Sequence, residues 1–447
     1  MRATIPAVSS IALTADQIVS ALAQKGRNVS ILDSCGIARG GSSLLIAGID
    51  PINVISLDAD DSNSLLDRFD RSVGRNDVAS IFTISYDLGP KLMQLEGPVQ
   101  SQVIEPDVYI AQYDSLLIHD HLSGETKIVG SGKSAARLQE LLINRAAAEP
   151  IVSRIADKLL HSRSNFTKDN YIAAVEIIKD RIRRGDTYQT NLTQKLTVEM
   201  PNGRSPIEVF QKLRRDHPAP FAAFLDRVNS TVVSASPEHF IGFDRLNSGS
   251  IVASPIKGTR RRGTTPEEDD LLRKELAESE KDRAENTMIV DLTRNDLGRI
   301  CEFGSVEVAE LCRLEEHPTL FHLVSIVKGK LLNGLSFSDV LRAVFPCGSI
   351  TGAPKISTMK IITELEPDAR GLSMGAIGIR IPPEIFVIDE KFEMNVAIRT
   401  MVFRDNTAEF NVGGGIVIES DPELEYQESL LKASALLKAL GAKPPGN

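Results

Sequence analysis

EIFVIDEKFEMNVAIRTMVFRDNTAEFNVGGGIVI, residues 384–418, decides the fold class. It holds three β-rich runs in quick succession, EIFVI (384–388), MNVAIRTMVF (394–403) and AEFNVGGGIVI (408–418). Their branched and aromatic side chains suit a pleated, half-buried surface. The connections are too short for a crossover helix, so the strands are expected to pair antiparallel. Similar runs occur upstream: SLLIAGI (43–49), DVASIFTISYDLG (77–89), TVVSASPEHFIGF (231–243) and GSIVASPIKGT (249–259), the last two reading as neighbouring strands. Helical patterns lie between them. Thr167 can cap a helix with Tyr171, Val175, Ile178 and Ile182 at helical spacing, stopped by Gly185. The pattern predicts an α+β protein with a large antiparallel sheet rather than a doubly wound parallel one.

The chain has 447 residues, 42% hydrophobic and 25% charged, an ordinary globular balance with enough length for a large core. Lys and Arg number 51 against 60 Asp and Glu, a net charge of −9. Such a surface is a poor partner for nucleic acid. No signal peptide or membrane span is expected. Cys35, Cys301, Cys312 and Cys347 fit neither a zinc ribbon nor a CxxC pair, and read as buried reduced thiols of a cytoplasmic protein. The stretch 146–167 is the expected boundary between an N-terminal region (1–150) and a second region (165–441).

Four constellations could carry chemistry. In DPELEYQESLLKASALLKAL, Asp421 is a plausible N-cap with Pro422 at the first helical position. Glu425, Glu428 and Lys432 share one face, which also fits a solvated surface with an i,i+4 ion pair. A second acidic run, KDRAENTMIVDLTRNDLGRI, carries Asp282, Glu285 and Asp291, with Glu285 before an apolar stretch. Carboxylates from two elements could share a hard cation such as Mg²⁺, and no His/Cys cluster suggests zinc. In FPCGSITGAPKISTMKIITELEP, a Gly/Ser/Thr turn leads through Pro354 into a helix with Ile356, Met359 and Ile362 on one side. Its start could favour an anion or be a simple cap. Gly413, Gly414 and Gly415 end a strand, as a kink or as room for a carboxylate at the backbone, with Arg399 on the preceding strand as a possible fork. In PIKGTRRRG, Lys257 has an apolar setting suited to a nucleophile, although most lysines near turns snorkel to solvent. Glu238 of SPEHF could act as a general acid, and His322 of LFHLVS reads by default as a core histidine. Together these suit a small dianion, not a polymer.

GDTYQTNLTQK, SPEHF, PIKGTRRRG, DRAENTMIVDLTRNDLGRI, HLVS, FPCGSITGAPK, AIRT, VGGGIV and EYQE occur in the order of the chorismate-utilising enzymes. From about Thr167 onward the chain resembles that family, which comprises anthranilate synthase component I, aminodeoxychorismate synthase component I and the isochorismate and salicylate synthases. SILDSCG and ISYDLG resemble, more loosely, segments that form an indole or tryptophan pocket in some members. The resemblance implies antiparallel sheets in a sandwich core with helices packed outside. Lys257 after Pro-Ile is similar to the lysine type of aminodeoxychorismate synthase. That implies conversion of chorismate and ammonia to 4-amino-4-deoxychorismate on the route to p-aminobenzoate and folate. It implies Glu285 and Glu428 as Mg²⁺ ligands with Glu425 acting through water. Arg399, Gly413, Gly414, Gly415, Lys432 and Thr351 would bind substrate. Glu238 would be the acid, Lys257 the covalent nucleophile and His322 an aid to proton handling. No glutaminase segment is recognisable, so a glutamine amidotransferase subunit is implied as ammonia source. Anthranilate synthase and a non-catalytic chorismate-binding homologue are the alternatives. Ser373 and Ile379 stand where the family often has Tyr, and Asn395 where Asp is usual.

Overall fold

The computed structural model describes residues 13–38, 43–58, 62–95, 105–145, 159–201, 204–244, 249–317, 320–383 and 391–446. Two large sheets dominate it. The first runs in the order Ala442–Lys443, Leu160–Ser164, Gln189–Glu199, Thr407–Ile416, Thr400–Arg404, Ser230–Ser236, Phe221–Arg227, Val29–Asp33, Leu44–Ile49, Ser115–Asp120 and Thr126–Gly130, with Gly352–Ala353 beside Gln189–Glu199. The second runs Ile256–Arg261, Leu320–Lys330, Ser250–Ser254, His239–Phe243, Lys391–Val396, Ala376–Ile381, Ala79–Ile84, Val108–Tyr113 and Asn53–Leu57, with Glu307–Glu316 against Leu320–Lys330. Antiparallel pairing prevails, as the short connections predicted; Ala442–Lys443 pairs parallel with Leu160–His161. The turn after Thr400–Arg404 shows why. Asp405 and Asn406 have φ of 46° and 60°, the left-handed pair that two-residue hairpins need.

Alternation along the strands builds the layers. Ala223 and Leu225 face a core between the sheets, together with Ile81, Tyr109, Ile377 and Ile379 of the second sheet. Ala222 and Phe224 face the opposite way, into a core roofed by helices that include Ala15–Lys25 and Pro206–Asp216. Helices cover the far face of the second sheet likewise, Phe69 and Val340 among their contacts. The architecture is the α+β sandwich with outer helices. Strands from both sides of the expected boundary share both sheets. Residues 146–158, within that boundary, lie outside the described residues, as does the run EIFVI.

The Thr167 reading holds: its side chain accepts from Asn170 N, and Tyr171, Val175 and Ile178 of Lys168–Arg183 are buried. Three expectations are corrected. The run TVVSASPEHFIGF is not one strand. It leaves the first sheet at Ser236 and enters the second at His239, and Pro237–Glu238 is the crossing, because proline breaks the ladder. The helix after Pro354 is Lys355–Leu365, and it buries Met359 and Ile362 but leaves Ile356 53% exposed. All four cysteines are unbridged, but Cys35 and Cys347 are half-buried as residues, although both thiols are desolvated. Among the described residues no helix is long and apolar enough to cross a membrane.

Candidate active site

Lys257 lies on the edge strand Ile256–Arg261. The ladder with Leu320–Lys330 slips between Lys257, opposite Leu323, and Thr259, opposite His322. Gly258 is the extra residue, with φ of 79°. A Cβ there would lie 2.9 Å from Leu276 Cδ1 and 3.0 Å from Asp282 Cβ, so neither the backbone nor the packing admits a side chain. The bulge lets Lys257 and Thr259 take different tasks. The half-buried Lys257 donates Nζ–H to the Ser349 carbonyl at 3.2 Å. Thr259 Oγ1 lies 2.9 Å from Nδ1 of the buried His322. The amine thus turns inward, onto the GSITG turn.

Two helices bring the carboxylates. Ser279 caps Glu280–Gly298, and Asp421 caps Pro422–Leu440, its side chain accepting from Leu424 N at 2.9 Å. Burial pushes the Glu285 carboxyl above the ordinary range, against the charges of Lys257 and Lys281. Burial also raises Glu425, whose Oε1 accepts from Ser420 Oγ at 2.7 Å. Lys432, 2.8 Å from Glu428, holds Glu428 below the ordinary range. Lys257 and Lys281 act on Glu285 and Glu428 together, so Lys257, Glu285, Glu425, Glu428 and Lys432 form one neighbourhood. Asp291 is outside it, exposed and paired with Arg294, and Asp282 is held by Arg260.

A Cβ on Gly414 would lie 3.1 Å from Glu425 Oε2, 3.4 Å from Lys432 Nζ and 4.0 Å from Glu428 Oε1. The bare backbone therefore leaves the carboxylates room above it. Three carboxylates and an open backbone suit an oxygen-seeking cation. Among the described residues, though, no three acidic, His or Cys side chains are drawn together as a metal shell. Lys281 and Lys432 supply the positive charge there instead.

The turn opposite Lys257 is braced from below. Lys355, the first residue of its helix, pairs with Asp296 at 2.6 Å and donates to the Val344 carbonyl at 2.8 Å. This ties the turn to the helix carrying Glu285, although burial keeps Asp296 raised despite Lys355. Thr351 is fully buried, and its hydroxyl lies 3.0 Å from the Cys347 carbonyl and 3.3 Å from the Gly348 carbonyl, inside its own turn. Glu238, at the sheet crossing, is buried. The Cys347 thiol is pushed up to about 12, first by burial and then by the charge of Glu238, which puts Glu238 beside the same turn.

Arg399 is not on a strand, as the sequence suggested. It sits in the bend between Lys391–Val396 and Thr400–Arg404 with φ of 50°, a left-handed conformation that arginine adopts at a cost. Burial lowers its guanidinium's affinity for the proton, and among the described residues no hydrogen bond or ion pair meets its side chain. An unmatched guanidinium in a strained bend suits an incoming carboxylate.

Sequence reasoning missed Gln189. It is fully buried, neither amide atom has a hydrogen-bond partner among the described residues, and a Cβ on Gly415 would lie 2.1 Å from its Nε2. A carboxamide buried without partners is expensive unless a ligand or water completes it. It falls within the motif GDTYQTNLTQK, but nothing in its local pattern marked the amide as buried and unpartnered. Also missed was the buried Glu366–Arg370 pair, 2.7 Å apart. Arg370 binds the Ile350 and Asn191 carbonyls, and Glu366 accepts from Thr193 N, so the pair locks the turn to the strand Gln189–Glu199. A small cavity of about 30 Å³ lined by Asp87, Lys195, Ser373 and Asn411 contains none of the candidate residues of the Lys257 neighbourhood.

The sequence profile of the chorismate binding enzymes matches residues 33–438. The chain belongs to this family. Anthranilate synthase component 1 1 of Haloarcula marismortui is 37% identical over 376 residues, 80% of this chain and 74% of that protein. Aminodeoxychorismate synthase component 1 of Klebsiella aerogenes is 39% identical over 357 residues, 79% of this chain and 75% of that protein. Its Bacillus subtilis namesake is 36% identical over 371 residues, covering 80% and 76%. The crystal structure of anthranilate synthase component I from Streptococcus pneumoniae superposes with a TM-score of 0.76 at 26% identity, over 90% of this chain and 93% of that one. As a chorismate binding enzyme the chain has clear uses for its three departures. Ser373 Oγ accepts from Asn411 N at 3.0 Å. Ile379 fills the core between the sheets. Asn395 uses both ends of its amide, accepting from Ile377 N at 3.0 Å and donating to the Phe221 carbonyl at 3.1 Å.

Proposed function

We propose that the chain is an aminodeoxychorismate synthase component I of the lysine type, working in the cytoplasm on the route to p-aminobenzoate and folate. The observation that carries this reading is Lys257. Its amine turns inward to the GSITG turn, 3.2 Å from the Ser349 carbonyl, beside Glu285 and Glu428. Relatives named for this activity are 36% and 39% identical, though one named anthranilate synthase is 37% identical, so the overall likeness does not choose between them.

In this reading Arg399 and the backbone of Gly413–Gly415 bind the substrate carboxylates, with Lys432 and Thr351 at the edges. Glu285 and Glu428 would hold Mg²⁺, Glu425 acting through water, and the ion would supply positive charge to the ring carboxylate. Lys257 attacks C2 of chorismate with its lone pair as the ring double bonds shift. The C4–O bond breaks, and Glu238 gives its proton to the departing hydroxyl, which leaves as water. Ammonia then forms the C4–N bond and expels the lysine amine, and the enolpyruvyl group stays on. His322, held by Thr259, orients near the ring. The name "component 1" of the relatives supports a partner subunit, read here as a glutamine amidotransferase supplying ammonia.

The test is the product and the adduct. Wild type with chorismate, Mg²⁺ and ammonium should give 4-amino-4-deoxychorismate. Intact mass spectrometry after quenching should find a covalent adduct that Lys257→Ala lacks. Anthranilate with released pyruvate as the main product would reject the reading in favour of anthranilate synthase.

A further inference from the structure

We propose that Lys281 is the internal counter-ion of the Glu285, Glu425 and Glu428 carboxylates, and the group a divalent cation has to displace on entering between them. The inference rests on the cation-assisted reading above and deepens it.

Three negative side chains share this neighbourhood with three lysines, Lys257, Lys281 and Lys432. Two of the lysines are committed. Lys257 donates to Ser349, and Lys432 is 2.8 Å from Glu428 and 3.1 Å from the Gly413 carbonyl. Lys281 is different. It stands one helical turn before Glu285, its Nζ is 3.9 Å from Glu285 Oε1, and among the described residues it makes no hydrogen bond. Its side chain is 55% exposed, so it can swing to water with little loss of packing. Yet its charge bears on all three carboxylates, including the two on the other helix. Of the three lysines it is the one held by no hydrogen bond among the described residues.

The charge balance gives the consequence. The six side chains together are formally neutral, and Asp282, which also bears on Glu285, is offset by Arg260 at 3.2 Å. A dication alone leaves the neighbourhood positive even with Lys281 swung out to water, and a dianion alone leaves it negative. Lys281 therefore opposes the cation and favours the dianion when each binds singly. Removing its charge should change the two affinities in opposite directions, a signature that misfolding or lost packing would not produce.

The experiment is titration calorimetry on the full chain, comparing wild type, Lys281→Gln and Lys281→Arg. Mg²⁺ is titrated without substrate, and chorismate separately with the divalent cation chelated. Lys281→Gln should bind Mg²⁺ about three- to tenfold more tightly and chorismate more weakly by a similar factor, both effects shrinking at high salt. Lys281→Arg, which keeps the charge, should track wild type. Unchanged or weaker Mg²⁺ binding by Lys281→Gln, or a loss of both affinities together, would overturn the proposal while leaving the cation reading standing. If folded wild type binds no Mg²⁺ at all, both fall.

Discussion

Arg399→Met should make the protein more stable while disabling it. The guanidinium is partly buried and has no acidic or hydrogen-bonding partner among the described residues. Methionine keeps the aliphatic stem and its packing but removes the unmatched charge, and burying an unpaired polar group costs about 1–3 kcal/mol. Arg399 keeps some exposure, so the expected gain is at the low end, about 1 kcal/mol. The bend's φ of 50° is unchanged in this variant; Arg399→Gly would relieve it by about 1 kcal/mol but lose the stem. On the functional side, a guanidinium fork gives a carboxylate two charge-assisted hydrogen bonds, each worth about 1.5–3 kcal/mol. Losing both should weaken chorismate binding about a hundredfold or more. Urea denaturation measures the first effect, and calorimetry with chorismate and Mg²⁺ the second. A methionine variant that is less stable than wild type, or that binds chorismate as well, would refute the idea that this arginine is held unpaired for an anionic ligand.

Gly414→Ala should leave the urea midpoint nearly unchanged, since the atoms it meets are the flexible ends of Glu425 and Lys432, but should weaken Mg²⁺ binding at least tenfold by calorimetry. Burial alone would raise Asp33, but the His121 hydrogen bond and the Arg214 charge outweigh it and hold the carboxyl below its usual 3.8. Its stabilising contribution is thus present above that value and lost as pH falls through the lower, folded one. Asp33→Asn should therefore cost about 3–5 kcal/mol near neutrality, a gap that narrows in denaturation curves as the pH is taken progressively below 3.8. Asn395→Asp keeps the acceptor for Ile377 but loses the donor to Phe221 and buries a charge; a drop of about 2 kcal/mol or more in urea denaturation is expected, and equal stability would show that the amide is not needed.

Much of the architecture was written locally. Alternating apolar residues and tight turns set antiparallel strands, since side-chain period and loop length are properties of a few neighbouring residues. The caps Thr167 and Asp421 were legible for the same reason, because a cap reaches only two or three residues along the chain. The candidate residues were recognisable as motifs, but what each one touches was not. Lys257 and Ser349 are 92 positions apart, and Asp296 and Lys355 are 59 apart. No local rule reports such pairings.

The chain's own order of residues determined an α+β class, the acidic surface, the helix carrying Glu425, Glu428 and Lys432 on one face, and the run of bare backbone at Gly413–Gly415. Tertiary structure alone decided that Glu238 stands where a strand changes sheets, that Arg399 lies in a left-handed bend and that Gln189 is buried, both side chains without a partner among the described residues. The reason is physical. Periodicity and capping are short-range, whereas desolvation and charge pairing depend on which distant segments the packed sheets bring within a few ångströms.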